Sequence, residues 1–138
     1  MGIKYDTNTI QLINLFESVS SVKVKDCLVN ENITFIVNKG DMGKAIGRKG
    51  VKIKKVEALL KKKVKIIEFN DDVCKFIQNF LAPLNVEGVS ISDNKKLVNI
   101  KVNGIGLKAK IIGRNNKNLN NLKNVVSRYF KVESIKVV

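Results

Sequence analysis

The chain has 138 residues, with 26 lysines and arginines, 12 acidic residues and no histidine, so its formal net charge is +14. A hydrophobic fraction of 44% is enough to bury a core, which excludes a disordered basic tail, and no apolar run approaches the ~18 residues of a membrane span. The excess of positive charge indicates a polyanionic partner, most often a nucleic acid, and the length fits one ordinary domain or two small ones.

The first half of the chain predicts the order helix, strand, strand, helix, loop, helix, strand. Asp6 or Thr7 is the expected N-cap of a first helix, in which Leu12, Phe16 and Val19 recur at helical spacing. Alternation of apolar residues and turn signals predict the elements that follow. These are strands at residues 22–29 and 33–37 around a turn at 30–32, a short helix at 41–46, a loop at 47–50, a helix from 51 and a strand at 64–67.

The loop at residues 47–50 has the Gly-x-x-Gly pattern with which KH modules hold a single-stranded nucleic-acid backbone. Gly47 and Gly50 allow a positive φ and a close approach of the sugar-phosphate backbone, and the following helix points free N–H groups at the same place. Arg48 can chelate phosphate oxygens, Lys49 adds a second charge, and two isoleucines are expected to floor a groove for unstacked bases. The residues of this half predicted to bind RNA are Lys44, Ile46, Gly47, Arg48, Lys49, Gly50, Lys52 and Ile53.

The second half repeats this order of elements. Asp71 or Asp72 is expected to cap a helix that ends before Pro83, the only proline of the chain. The same apolar patterns predict the rest of the half. The elements are strands around residues 89–91 and 98–102, a short helix at 107–112, a loop at 113–116, a long helix through 119–129 and a last strand at 132–138.

A second basic loop follows the short helix of this half, and its first glycine, Gly113, lies 66 residues after Gly47. Asn116 stands where the pattern has its second glycine. Because asparagine tolerates a left-handed backbone, we expect the turn to form but to bind phosphate more weakly. A single such pattern also fits a helical corner that needs glycine for steric reasons, and the duplication favours a binding site. The residues of this half predicted to bind RNA are Ile112, Gly113, Arg114, Asn115, Asn116 and Lys117.

The charge is divided evenly between the two halves. Residues 1–70 have 14 basic and 7 acidic side chains and residues 71–138 have 12 and 5, so each half has a net charge of +7. No Gly/Ser/Pro-rich linker separates them, which predicts two domains, 1–70 and 71–138, packed closely together. Solvated lysine-rich faces are the alternative to a binding surface, and the clustering of basic residues around both loops favours binding.

Patterns typical of enzymes are weak in this chain. Gly104 begins a formal match to the dinucleotide-binding pattern G-x-G-x-x-A, but only 29 residues follow the match. The absence of histidine removes the commonest general base and metal ligand. Cys27 and Cys74 lack metal-binding or redox spacing, so both are expected to be buried thiols in a reducing compartment. We therefore predict a cytoplasmic protein that is not an enzyme and has no cofactor or metal.

Several segments resemble the tandem type II KH region of the NusA family in its short archaeal form. They are residues 39–50, 68–72, 82–86 and 112–114 with 117–119. The resemblance covers essentially the whole chain and implies an α+β fold of two tandem type II KH domains. Each domain would have the order α-β-β-α-α-β, with helices packed on one face of a three-stranded sheet.

The same resemblance implies an RNA-binding factor that acts in transcription termination, antitermination or elongation. Its expected partners are single-stranded RNA and RNA polymerase or the elongation complex, and no membrane. Two other classes of protein stay open at this point. One is a KH-type ribosome-assembly or translation-associated protein, and the other is a coat that binds duplex DNA through charge alone.

Overall fold

The computed structural model describes residues 7–29 and 32–138. Within the chain, contacts define two units, Met1–Phe69 and Asn70–Val138. The predicted cap residue Asp6 and the predicted turn residues Asn30 and Glu31 lie outside the described residues, so those expectations stay predictions.

The first unit contains its helices and strands in the predicted order. They are α1 (Thr7–Ser20), β1 (Val24–Val29), β2 (Ile33–Val37), α2 (Met42–Ile46), a 3-10 turn at Arg48–Gly50, α3 (Val51–Leu60) and β3 (Val64–Glu68). The predicted strand start at residue 22 is wrong by two residues. Ser21 turns the chain with a φ of 61°, and Glu17 Oε2 accepts the Val24 N–H at 2.7 Å, which fixes the first residue of β1.

The strands of this unit form one mixed sheet in the order β1-β2-β3. β1 and β2 are antiparallel, with Cys27 opposite Phe35, whereas β2 and β3 are parallel, with Phe35 opposite Ile66. A parallel pair cannot be joined by a tight hairpin, so the chain crosses over through α2, the 3-10 turn and α3. The loop at residues 47–50 therefore lies in the middle of a strand-to-strand crossover.

The helices of the first unit pack on the sheet around one apolar core. Phe16 of α1 stacks on Phe35 of β2 with ring centroids 4.2 Å apart, and both side chains are fully buried. The other buried residues of this core are Val22, Cys27, Ile33, Val37, Ala45, Val56, Val64 and Ile66. The predicted apolar stripes of α1 and α3 thus meet the sheet as expected from their spacing.

Both cysteines are free thiols, but only one is buried. Burial, with the Asp26 carboxylate as the second cause, raises the pKa of the Cys27 thiol to about 12. Cys27 is therefore protonated at neutral pH and packs as a small apolar side chain. Cys74, on the first turn of α4 (Val73–Leu81), is only partly buried, contrary to the prediction, and burial followed by the Asp72 carboxylate also raises its pKa.

The second unit repeats the element order of the first. It contains α4, β4 (Gly88–Ile91), β5 (Leu97–Lys101), α5 (Ile105–Ile112), a 3-10 turn at Arg114–Asn116, α6 (Lys117–Tyr129) and β6 (Ser134–Val137). Asp72 is the N-cap of α4, which ends at Leu81 before Pro83 as predicted. The predicted start of α5 at residue 107 is wrong, because Gly104 turns the chain with a φ of 101° and the helix begins at Ile105.

The second sheet has the order β4-β5-β6, again with an antiparallel pair followed by a parallel pair. Phe76 of α4 packs against Phe130, which follows α6, with ring centroids 5.8 Å apart. The buried apolar residues of this unit are Val73, Phe76, Ile77, Leu81, Val98, Ile100, Ile111, Leu122, Val125, Val126, Ile135 and Val137. The predicted α+β fold class, with the order α-β-β-α-α-β and a three-stranded sheet in each unit, is confirmed.

Candidate nucleic-acid interface

The first loop joins α2 to α3, and three of its residues have a positive φ. Gly47 has φ 79° and ψ 172°, a conformation that is essentially restricted to glycine. Lys49 (φ 55°, ψ 27°) and Gly50 (φ 72°, ψ 18°) are both left-handed. The Gly47 N–H donates to Gly43 O at 3.0 Å, and the Gly50 N–H donates to Gly47 O at 3.1 Å. The result is a tight corner held by its own backbone.

The two glycines of this loop are needed for different reasons. A Cβ on Gly47 would lie 2.7 Å from Lys52 Cγ and 3.1 Å from Lys52 N, so any side chain there would collide with the protein. A Cβ on Gly50 would meet only Ile53 Cγ2 at 3.6 Å and Lys54 Cε at 3.9 Å, which are ordinary contacts. Both glycines have the predicted positive φ, but the space that glycine leaves at position 47 is occupied by the side chain of Lys52.

The second loop, between α5 and α6, has nearly the same backbone. Gly113 has φ 75° and ψ 170°, and Asn115 (φ 55°, ψ 33°) and Asn116 (φ 61°, ψ 20°) are left-handed. The Gly113 N–H donates to Ala109 O at 2.8 Å, and the Asn116 N–H donates to Gly113 O at 3.2 Å. Asparagine therefore replaces the second glycine without altering the turn, because left-handed φ is tolerated by asparagine.

Most of the cationic side chains predicted to bind RNA are exposed. They are Lys44, Arg48 and Lys49 in the first unit and Arg114 and Lys117 in the second. An open depression of about 540 Å³ lies against the first loop and is lined by Arg48, Lys49, Val51 and Lys54. The lining of this depression therefore includes three cationic side chains and one apolar side chain.

Lys52 is only partly exposed, and its ammonium group binds the protein itself. Its Nζ donates to Ser20 O at 2.9 Å and to Lys44 O at 3.0 Å. In the second unit Asn118 occupies the corresponding position, five residues after the first glycine, and its Nδ2 donates to Lys110 O at 2.9 Å. The inward direction of the Lys52 side chain was not predictable from the sequence, because nothing in a run of lysines indicates which one turns inward.

The apolar residues of the site are less exposed than predicted. Ile46 and Ile53 are half-buried and pack against the core of the first unit, and Ile112 is half-buried in the second. Val51, which sequence analysis did not select, is 59% exposed and lines the depression. The exposure of Val51 was predictable from the sequence, because Val51 lies outside the apolar stripe that Ile53, Val56 and Leu60 form on α3.

Across residues 7–29 and 32–138, no group of three or more histidine, cysteine, aspartate or glutamate side chains is placed to hold a metal ion. No helix in this part of the chain combines the length and the apolar character needed to cross a membrane.

Comparison with known proteins places this geometry in a family. The KH domain family (KH_2) matches residues 12–78, a segment that includes the whole first loop. A protein of Methanocaldococcus jannaschii named "Probable transcription termination protein NusA" is 37% identical over 139 residues, which cover 99% of this chain and 75% of the relative. The chain belongs to the archaeal NusA family.

Other NusA proteins match over nearly their full lengths. Those of Halococcus morrhuae and Thermoplasma acidophilum, with the same printed name, are each 30% identical, and the matches cover 99% and 95% of the relatives. The crystal structure of APE1850 matches with a TM-score of 0.70 and 28% identity, covering 97% of this chain and 100% of that chain. The predicted membership of the NusA family is therefore confirmed, and the likeness extends over both units.

Proposed function

We propose that this member of the NusA family is an RNA-binding transcription factor that grips single-stranded RNA through its two loops and takes part in termination, antitermination or elongation. The observation that supports it most is the matched backbone of residues 47–50 and 113–116. Each loop sets exposed basic side chains beside the start of a helix, where free N–H groups and the helix dipole favour an anion. The names of the NusA relatives support the transcriptional role.

In this proposal the chain has two KH domains, 1–70 and 71–138, and each loop holds the phosphates of a short RNA segment. Arg48 forms a forked contact with phosphate oxygens and Lys49 adds a point charge. Val51, Ile46 and Ile53 lie beside them as apolar contacts for unstacked bases. Arg114 and Lys117 are the cations of the second loop, where Asn115 and Asn116 contribute hydrogen bonds without charge. The first loop therefore binds RNA more tightly than the second.

The ranking of the two loops is tested by introducing aspartate at the corresponding positions of both loops. The double variant Arg48→Asp/Lys49→Asp should lower the affinity for a short single-stranded RNA by at least about tenfold, because two phosphate contacts become repulsive. Arg114→Asp/Asn115→Asp should cost less. Lys62→Asp/Lys63→Asp, in the exposed turn after α3, is the control for loss of charge away from the loops. Affinity is measured by fluorescence anisotropy at fixed salt.

The outcomes of this experiment separate the possibilities cleanly. Equal losses at both loops would contradict the ranking. A loss in the control as large as that in the first loop would mean that general charge binds RNA without the loops. No loss in the first loop would contradict the proposed function itself.

The transcriptional role is tested by purifying the tagged protein from its native cells with and without RNase treatment. We propose that the protein works in the cytoplasm beside transcribing RNA polymerase, so polymerase subunits should be retained. Retention after RNase would indicate a direct protein contact, and loss after RNase would mean an association through RNA alone. Absence of polymerase in both samples, with ribosomal proteins in its place, would contradict the transcriptional role.

A further inference from the structure

Lys52 joins the ends of three helices. It lies in the first turn of α3, and its Nζ donates to Ser20 O, at the last residue of α1, and to Lys44 O, in the last turn of α2. Carbonyl oxygens at helix ends have no partner within their own helix, so these two bonds satisfy groups that would otherwise need water. The loop at residues 47–50 is the segment of chain between two of these three helix ends.

Gly47 is the residue that allows this arrangement. The stem of Lys52 crosses the loop where a side chain at position 47 would stand, since a Cβ there would lie 2.7 Å from Lys52 Cγ. The first glycine of the pattern and the lysine five residues later are therefore parts of one device. The glycine admits the side chain, and the side chain holds α2 against α3.

The charge of Lys52 is accounted for by the same contacts. A cation is unfavourable in the first turn of a helix, where the dipole is positive, and favourable at a helix C-terminus. The Lys52 side chain begins in the first turn of α3 and places its ammonium group at the C-terminal ends of α1 and α2. An ammonium group has three N–H donors, of which the two protein carbonyls use two. Its position thus has an explanation that does not involve RNA.

The second unit makes one of these two contacts, the one to the preceding short helix, with a neutral side chain. Asn118 Nδ2 donates to Lys110 O at 2.9 Å, and a Cβ on Gly113 would lie 2.7 Å from Asn118 Cγ. Lys110 precedes Gly113 by three residues, as Lys44 precedes Gly47. Because an amide performs this role in one unit and an ammonium in the other, the common requirement is the hydrogen bond and not the charge.

We propose that Lys52 is a positioning residue of the first RNA loop, which it holds by tying α2 and α1 to α3, and that it makes no phosphate contact. Asn118 positions the second loop by tying α5 to α6. The proposal rests on the proposed RNA binding by the loops, but it predicts a signature that a phosphate contact does not have. When a phosphate contact is lost, the plot of log affinity against log salt concentration for a single strand becomes less steep, by about 0.7. A displaced loop instead lowers the affinity at every salt concentration and leaves the steepness of the plot unchanged.

The experiment compares Lys52→Met, Lys52→Asn and Lys49→Asn in the full chain, by RNA affinity between low and moderate salt. Lys52→Met should weaken binding roughly fivefold with an unchanged slope. Lys52→Asn, which copies the second unit, should recover part of the affinity although it removes the same charge. Lys49→Asn should make the salt dependence less steep, by about 0.7. Lys62→Met controls for the loss of one charge away from the loop.

A merely structural role is separated from a positioning role by measuring all variants well below their melting temperatures. Asp72→Ala, at the cap of α4 in the other unit, is a destabilised control that should melt earlier and bind RNA like the wild type. In RNA-free protein, Lys52→Met should shift the amide NMR signals of residues 47–50 and leave those of 113–116 in place. Asn118→Leu should do the reverse.

Two results would overturn the proposal. One is a salt dependence that becomes less steep in Lys52→Met by as much as in Lys49→Asn, together with an RNA affinity of Lys52→Asn that is no higher than that of Lys52→Met. The other is a set of loop amide signals that do not move in Lys52→Met. Failure of the proposed function looks different, because then the double reversal of Arg48 and Lys49 would leave RNA affinity unchanged while the amide shifts of Lys52→Met persisted.

Discussion

At the scale of single residues, the two loops adopt one backbone with different side chains. The position corresponding to Lys49 in the second loop is Asn115, and both have a φ of 55°. A left-handed backbone costs about 1 kcal/mol for an ordinary residue and less for asparagine. Lysine at position 49 therefore has an energetic cost in the folded protein, which is understandable if its charge is needed for RNA.

The two glycines of the first loop should respond differently to substitution. Gly47→Ala should lower the free energy of unfolding by about 2–3 kcal/mol, because its φ and ψ are open only to glycine and its Cβ would collide with Lys52. Gly50→Asn should cost less than about 1 kcal/mol, since Asn116 has the corresponding place in the second loop. Urea denaturation measures both, and equal losses would contradict the assignment of the collision to Gly47.

The loop residues illustrate how far sequence reasoning reaches at this scale. The pattern Gly-x-x-Gly and the exposed cations between the glycines were predictable, because the spacing and residue types alone indicate a phosphate-binding corner. The inward direction of Lys52 was not, because it depends on Ser20, 32 residues earlier in the chain. A hydrogen bond between distant segments has no signature in the local pattern.

At the scale of helices and strands, two glutamate carboxylates of the first unit each fix the position at which a strand begins. Glu17 Oε2 accepts the Val24 N–H at 2.7 Å, and Glu57 Oε2 accepts the Val64 N–H at 2.9 Å. In each case a glutamate near the end of a helix holds the first residue of the next strand, seven positions later. A charge-assisted bond to a backbone N–H is stronger than a neutral one, so these two residues fix the entry of β1 and β3.

The cap of α4 gives a test at this scale. Asp72 Oδ1 accepts the Cys74 N–H at 2.9 Å, whereas the adjacent Asp71 is not the capping residue. Asp72→Ala should lower the free energy of unfolding by about 1 kcal/mol, because the helix loses a bond to one of its free N–H groups. Asp71→Ala is the matched control. Equal changes in melting temperature for the two variants would contradict the capping role.

The order of all elements was predictable because apolar spacing and turn residues agree in both halves. The errors in element extent lie at element ends and include the starts of β1 and α5, the end of β5 at Lys101 and the length of the last strand, which is only Ser134–Val137. These ends depend on tertiary contacts such as the bond from Glu17, or on a glycine whose φ the sequence does not reveal. β2 and β3 pair in parallel, which requires the long crossover between them.

At the scale of the whole molecule, the net charge of +14 competes with the loops as a source of RNA affinity. If the two loops make about four to six phosphate contacts, the log–log salt slope for a single-stranded RNA should be about −3 to −4. Titrations at several salt concentrations measure it. A slope of about −8 or steeper would mean that the lysine-rich faces dominate binding, which would contradict recognition by two short loops.

Each loop lies inside the connection between two parallel strands, so whatever holds the loop also restrains the third strand of its sheet. The crossover that contains residues 47–50 joins β2 to β3, and the crossover that contains residues 113–116 joins β5 to β6. A ligand that binds only the folded crossover stabilises the folded state by RT ln(1 + [L]/Kd), so the stabilisation increases with ligand concentration. If the loops bind RNA as proposed, RNA should therefore stabilise both sheets, and hydrogen exchange of the amide protons of β3 and β6 should become slower when RNA is added.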